Sequence, residues 1–149
     1  MHRFIKIRII RDLEHLEERK RGWRERLFPL GEVQMPFRPA MDLYETTEGL
    51  VLRLEIPGAV KEDLAVDLVG QELIIRGQRR PTPPAQVTRV LNYEITYGNF
   101  ERSFQIPIPI DPEGIKARYR EGILEVKLPH LRPRARRIAV KEVRETKTE

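Results

Sequence analysis

Hydrophobic residues recur in two rhythms along this chain, and the rhythm changes near residue 41. In residues 1–27, Ile5, Ile9, Leu13, Leu16, Trp23 and Leu27 recur at steps of three and four, with Lys20 in the one missing position and Arg and Glu on the opposite side. That period predicts an amphipathic helix. Glu17 and Arg21 form an i,i+4 pair of favourable polarity, Gly22 weakens the helix near its end, and Pro29 is expected to stop it. Pro29, Gly31, Pro36 and Pro39 give residues 28–40 the composition of a linker.

From Met41 the period is two. Leu50, Leu52, Leu54 and Ile56 alternate with Val51, Arg53 and Glu55, the pattern of a half-buried strand ended by Pro57-Gly58. Leu64, Val66 and Leu68 alternate with Ala65 and Asp67, Gly70-Gln71 turns the chain, and a further run covers residues 73–76. A loop carrying Pro81, Pro83 and Pro84 precedes residues 90–97, which place Leu91, Tyr93, Ile95 and Tyr97 on one side. Phe100, Arg102, Phe104 and Ile106 form another period-two set, and residues 115–120 and 122–128 flank a tight turn at Glu121-Gly122. Seven or eight short strands separated by turn residues predict an all-β antiparallel sandwich over residues 41–129. Residues 1–40 are then an arm and linker, and residues 130–149 an extended charged tail kept open by Pro133 and its arginines.

Within that tail stands an isolated apolar triplet, Ile138-Ala139-Val140. In extended chain, residues two apart project the same way, so Ile138 and Val140 form a pair of aliphatic knobs. A charged tail gains nothing by exposing them, which suggests a plug for a groove on another surface; the plain alternative is a triplet with no partner. Burying the two side chains contributes roughly 1.5–3 kcal/mol each before ordering costs. One such contact is weak and reversible, and several around a closed oligomer become stable through multivalency.

Composition narrows the class. A chain of 149 residues fits one compact domain with appended segments, and 34% charged residues leave the core little room to be large. The interleaved Phe4-Ile5-Lys6-Ile7-Arg8 lacks the uninterrupted apolar core of a secretory signal, and no run approaches a membrane span. With no cysteine, disulfides and thiol chemistry are excluded, and a cytoplasmic location is expected. The net charge of +5 belongs to the ends: residues 1–27 carry nine Lys/Arg against five Asp/Glu, and residues 129–149 seven against three. Because the excess sits on arms where it is mixed with acids, no specific nucleic-acid partner is expected.

Three segments together resemble the small heat shock proteins, the alpha-crystallin-domain or Hsp20 family. Asp42-Leu43-Tyr44-Glu45-Thr46, followed by Leu54-Glu55-Ile56-Pro57-Gly58 and Lys61-Glu62-Asp63-Leu64, is similar to the family's opening strands and their Pro-Gly turn. Gly98-Asn99-Phe100-Glu101-Arg102-Ser103-Phe104 resembles its Gly-x-Phe-x-Arg-x-Phe strand. Ala117, Gly122 and Leu124 fit its A-x-x-x-x-G-x-L signature, and Ile138-Ala139-Val140 fits its C-terminal Ile-x-Ile/Val motif. The resemblance covers residues 42–140 and implies an immunoglobulin-like β-sandwich. The signature residues read as structural: Gly122 at a turn needing positive φ, and Leu124 pointing inward with Val126 and Leu128.

The resemblance also implies surfaces. Ile138 and Val140 would dock in a groove lined by Leu64, Val66, Leu68, Ile115, Ala117 and Tyr119. Residues 87–97 would cross to a partner and pair with its first strand, giving a dimer interface of Met41, Leu43, Leu91, Tyr93, Ile95 and Arg102. Arg102 lies on the face of Phe100 and Phe104, where a charge is costly unless paired. It either covers apolar surface with its stem or forms an ion pair near the dimer interface with an unidentified carboxylate.

No catalytic pattern emerges. His2, His15 and His130 are far apart in the chain, and no Gly-rich phosphate loop, G-x-S-x-G or H-E-x-x-H is present. No metal site or cofactor is expected, and chaperone action would proceed without ATP. The expected function is that of a holdase that oligomerises with itself and captures partly unfolded proteins. Candidate client-binding residues are Phe4, Ile5, Ile9, Leu13, Leu16, Trp23, Leu27 and Phe28, which would equally serve oligomer packing. A membrane-surface stabiliser acting through the basic helix is the runner-up. A p23-like co-chaperone adaptor is disfavoured, having no need of the triplet or the crossing loop.

Overall fold

The structure is a computed structural model and describes residues 4–11 and 37–132. Among these residues nine strands form two facing sheets. Their order along the chain is β1 (Phe4–Ile5), β2 (Ile7–Ile10), β3 (Met41–Thr46), β4 (Gly49–Glu55), β5 (Ala65–Val69), β6 (Glu72–Arg79), β7 (Gly98–Gln105), β8 (Lys116–Arg120) and β9 (Ile123–Pro129). The first sheet runs β1-β8-β9-β4-β3 and the second β2-β5-β6-β7. All pairings are antiparallel except β2 with β5.

Alternation drives the layering. Leu50, Leu52 and Leu54 of β4 turn inward with Leu124, Val126 and Leu128 of β9, while Arg53 faces water. Val66 and Leu68, Leu73 and Ile75, and Phe100 supply the opposing wall, and these residues form one contiguous core. One backbone position makes that packing possible. Gly77 lies opposite Phe100, and a Cβ there would come within 2.6 Å of the Phe100 ring and 2.8 Å of Leu64 Cδ2. The ring thus occupies the space that any larger residue would need. Phe37 meets Phe100 edge-on at 5.7 Å between centroids, anchoring the chain just ahead of β3.

The Glu121-Gly122 turn fulfils its expectation, with φ of 52° and 79° at the two residues. Positive φ at both central positions is the primed hairpin geometry that matches strand twist. Gly122 has a second constraint: a Cβ would lie 3.1 Å from Pro57 Cα, and its carbonyl accepts from the Ile56 N–H at 2.7 Å. The two turns named in the resemblance are therefore in contact.

One expectation needs correction. Residues 4–10, assigned to the start of a helix, form β1 and β2 instead. Ile5, Ile7 and Ile9 carry a period of two as well as the longer helical spacing, and their β-branches favour an extended chain with a sheet edge to join. The remainder of that helix, residues 12–27, lies outside the described residues, as does the tail with Ile138 and Val140. Residues 90–97, expected to cross and pair with a partner, form no ladder among the described residues. An extended segment becomes a strand only with a neighbour to satisfy its N–H and C=O groups, and here it runs exposed beside the sandwich.

Candidate functional site

Two flanks of the sandwich contain the residues singled out above. On one flank, β8 and β5 are the strands next to the terminal strands β1 and β2 of the two sheets. Leu64, Val66, Leu68, Ile115 and Ala117 are buried between them, with Tyr119 packed alongside. The Tyr119 hydroxyl donates to the Ile56 carbonyl at 2.7 Å, and burial pushes its pKa up. These six residues lie along or beside β5 and β8, where the N-terminal segment pairs. Ile5 pairs with Ala117, and Ile7 and Ile9 pair with Val66 and Leu68. All three isoleucines join the core, and an open cleft of about 220 Å³ remains beside them, against Pro112 and Ile115.

A chain of charges on the outer face of the second sheet strengthens this docking. Asp67 is completely buried; its Oδ1 lies 2.8 Å from Arg8 Nε and its Oδ2 lies 2.9 Å from Arg76 Nη1. Arg76, also buried, places its Nε 2.8 Å from Glu101 Oε2. Removing such groups from water is costly unless each is paired and hydrogen-bonded, as they are here. Sequence reasoning missed this network because Asp67 and Arg76 sit at positions that alternation assigns to solvent. Arg8, embedded among isoleucines, was the available signal.

The other flank is open. No strand lies beyond β3 among the described residues, and Leu43 is exposed while Met41 is half-buried. The unpaired segment that follows the proline loop exposes 82% of Leu91, 69% of Tyr93 and 62% of Ile95. Arg79 fastens its end: Nε donates to the Thr96 carbonyl at 2.9 Å, and the guanidinium lies 3.7 Å from the centre of the Phe37 ring.

Arg102 is half-buried on the inward side of β7, and its Nη1 donates to the Pro39 carbonyl at 2.6 Å. Burial, with Arg38 nearby, lowers its pKa. This hydrogen bond ties β7 to the segment entering β3.

Of the client-binding candidates, Phe4 is exposed, Ile5 is buried and Ile9 half-buried in the groove, so the latter two present little surface. Leu13, Leu16, Trp23, Leu27 and Phe28 lie outside the described residues. Among the described residues no group of three or more His, Cys, Asp or Glu side chains is placed to hold a metal. No helix there is long and apolar enough to cross a membrane.

The described residues thus form a two-sheet sandwich with the β5–β8 flank covered by residues 4–10 and with no strand beyond β3. The chain belongs to the Hsp20/alpha crystallin family, whose model matches residues 42–144. It is 32% identical over 91 residues to small heat shock protein C2 of Rickettsia felis, covering 61% of this chain and 59% of that one. It is 30% identical over 93 residues to spore protein SP21 of Stigmatella aurantiaca, covering 62% and 55%. The match therefore spans a little over half the length of these relatives. A solved small heat-shock protein from Xylella fastidiosa superposes with a TM-score of 0.61 at 30% identity, over 71% of this chain and 98% of that one. Heat shock protein 16.0 of Schizosaccharomyces pombe gives 0.58 at 29% identity, over 70% and 99%. The family is one of ATP-independent stress chaperones, not of enzymes.

Proposed function

We propose that this protein is a cytoplasmic holdase that assembles from strand-exchanged dimers and captures partly unfolded proteins without ATP. The observation that carries this reading is the pairing of two unsatisfied features on one flank. An extended segment with a row of exposed apolar side chains accompanies a strand edge that has no neighbour among the described residues. Each is an aggregation hazard alone, and exchange between two copies would satisfy both. Met41 and Leu43 would receive Leu91, Tyr93 and Ile95 of the partner.

Dimers would then be joined by Ile138 and Val140. The residues from 129 to 137 span on the order of 30 Å when extended, enough to reach a neighbouring dimer. Large apolar patches on a resting protein self-associate, so a chaperone of this kind must hide its client-binding surface and release it. Heat would shift the population toward smaller species that expose it.

The test measures mass by light scattering together with aggregation of a heated model protein. Wild type is expected to form oligomers and to suppress aggregation without nucleotide. A monomeric chain without suppressing activity would sink the proposal.

A further inference from the structure

We infer that the outer face of the first sheet, along β8 and β9, binds single-stranded nucleic acid through its phosphates, without regard to sequence. This activity is separate from the holdase reading, because it uses the flat of the sheet and neither of its edges.

Folding gathers cations that lie far apart in the chain. Lys116, Arg118 and Arg120 alternate along β8 with Ala117 and Tyr119, which join or pack against the core, so the three cations share the outward side. Residues two apart on a strand repeat at about 6.7 Å, which makes the three a line of positive charge. Lys127 of β9 is the register partner of Lys116, and Glu125 is the partner of both Arg118 and Arg53.

The acids present do not balance this line. Arg53, Arg118 and Lys127 share one carboxylate: Glu125 lies 2.9 Å from Arg53 Nη2, 3.4 Å from Arg118 Nη2 and 3.9 Å from Lys127 Nζ. Arg120 has its neighbour Glu121 at 3.1 Å. Lys116 and Lys127 stand directly opposite each other, and like charges in that position destabilise a ladder. A bound anion removes the repulsion.

The lysine pair borders a hollow. Lys116 and Lys127 line an open cleft of about 440 Å³ together with Thr46 and Thr47, and Glu48 is the one acidic residue on its wall. A cleft with an excess of one sign of charge concentrates counter-ions. Phe4 adds a stacking surface: it is the register partner of Arg118 and is 57% exposed. An aromatic ring beside a line of cations lets an unpaired base stack while its phosphate is neutralised.

Charge complementarity selects the partner. The ends of this chain do not supply an anion, since residues 1–27 carry nine Lys/Arg against five Asp/Glu and residues 129–149 seven against three. An anionic membrane is a plane and would meet the whole face, including Asp42, the register partner of Arg53, and Glu55, two residues from Arg53 on β4. A single strand follows β8 and avoids both.

The experiment titrates full-length protein into a fluorescent oligothymidylate, followed by anisotropy over a series of salt concentrations. Lys116→Glu/Lys127→Glu is expected to weaken binding by at least about tenfold. It should also reduce the slope of log affinity against log salt by about 1.4, since each phosphate contact on a single strand contributes about 0.7. Both side chains are exposed, so melting temperature and molecular mass should match wild type. If they do not, Lys116→Gln/Lys127→Gln repeats the measurement without added acid. Phe4→Ala should weaken binding by about fivefold and leave the salt slope unchanged. Arg134→Glu/Arg136→Glu on the tail should weaken it less than the sheet pair does.

An unbound oligonucleotide, undiminished binding in the sheet variants, or a larger loss in the tail variant would overturn the proposal. Equal or tighter binding to a duplex of the same length, or no loss in Phe4→Ala, would overturn the single-stranded assignment. Phosphatidylglycerol vesicles that bind through Lys116 and Lys127 while the oligonucleotide does not would assign the face to a membrane instead.

Discussion

The two flanks of this sandwich solve the same problem in opposite ways. Every sheet ends in a row of unpaired backbone groups, and on the β5–β8 flank the chain covers both rows with its own residues 4–10. Three isoleucines and an ion pair to a buried aspartate hold that cover in place. On the β3 flank nothing described in the chain covers the edge, and the segment that could pair with a strand stands exposed. The contrast separates stability from assembly. Changes on the covered flank should register in unfolding experiments, and changes on the open flank in molecular mass.

Leu91→Asp/Ile95→Asp should produce the largest effect on assembly. Both side chains are exposed in the single chain, so its folding should be preserved while the proposed dimer weakens by at least about a hundredfold. Light scattering at micromolar concentration should then report monomers. A dimer of unchanged mass would remove the open flank from assembly.

Asp67→Ala should be the most damaging change on the covered flank. It leaves Arg76 buried with one carboxylate fewer and frees Arg8, at a cost of about 3–5 kcal/mol in urea unfolding. Arg8→Ala removes only the half-exposed partner and should cost less than about 1 kcal/mol. Equal losses would show that the buried Asp67–Arg76 contact adds nothing beyond the contact with Arg8.

Arg102→Gly joins the flanks in one test. Loss of its hydrogen bond to the Pro39 carbonyl should cost about 1–2 kcal/mol in the monomer. If Arg102 also meets a partner's carboxylate in the dimer, dimer affinity falls further than monomer stability does. Matched losses in the two measurements would confine it to the tie between β7 and the start of β3.

A comparably small effect concerns Tyr119. Its pKa is raised by burial above the usual 10.0, so the native state retains the phenol proton longer than the unfolded chain does. The stability it contributes is fully present below pH 10 and is lost as pH rises through the higher folded value. Tyr119→Phe should remove about 1 kcal/mol at neutral pH, from the lost bond to Ile56, and flatten the alkaline decline. Tyr44, raised by its hydrogen bond to Asp42, is common to both proteins and cancels in the comparison.

What the sequence revealed follows the physics of each segment. Leu50, Leu52, Leu54 and Ile56 stand in strict alternation with polar neighbours, and such a run has one face to bury; the structure buries it. Gly122 was legible because a two-residue hairpin demands positive φ, although its contact with Pro57 is a tertiary fact outside any local pattern. Ile5 and Ile9 misled because their four-residue spacing fits a helix, while Ile7 between them restores a period of two; only the presence of empty edges at Val66 and Ala117 decides. Residues 90–97 were readable as strand-forming but could not become a strand within one chain. Asp67 and Arg76 were illegible, since alternation says which side a residue faces and not whether that side is dry.

Between β1 and β2 a single residue, Lys6, carries the chain from one sheet to the other. Such a crossing has no slack. Peeling Ile7–Ile10 from β5 pulls directly on the two residues beside β8, so neither half frays far while the other holds. The segment should come off as one cooperative unit, giving the groove two states, shut or vacant, with a narrow threshold between them in place of a gradual loosening.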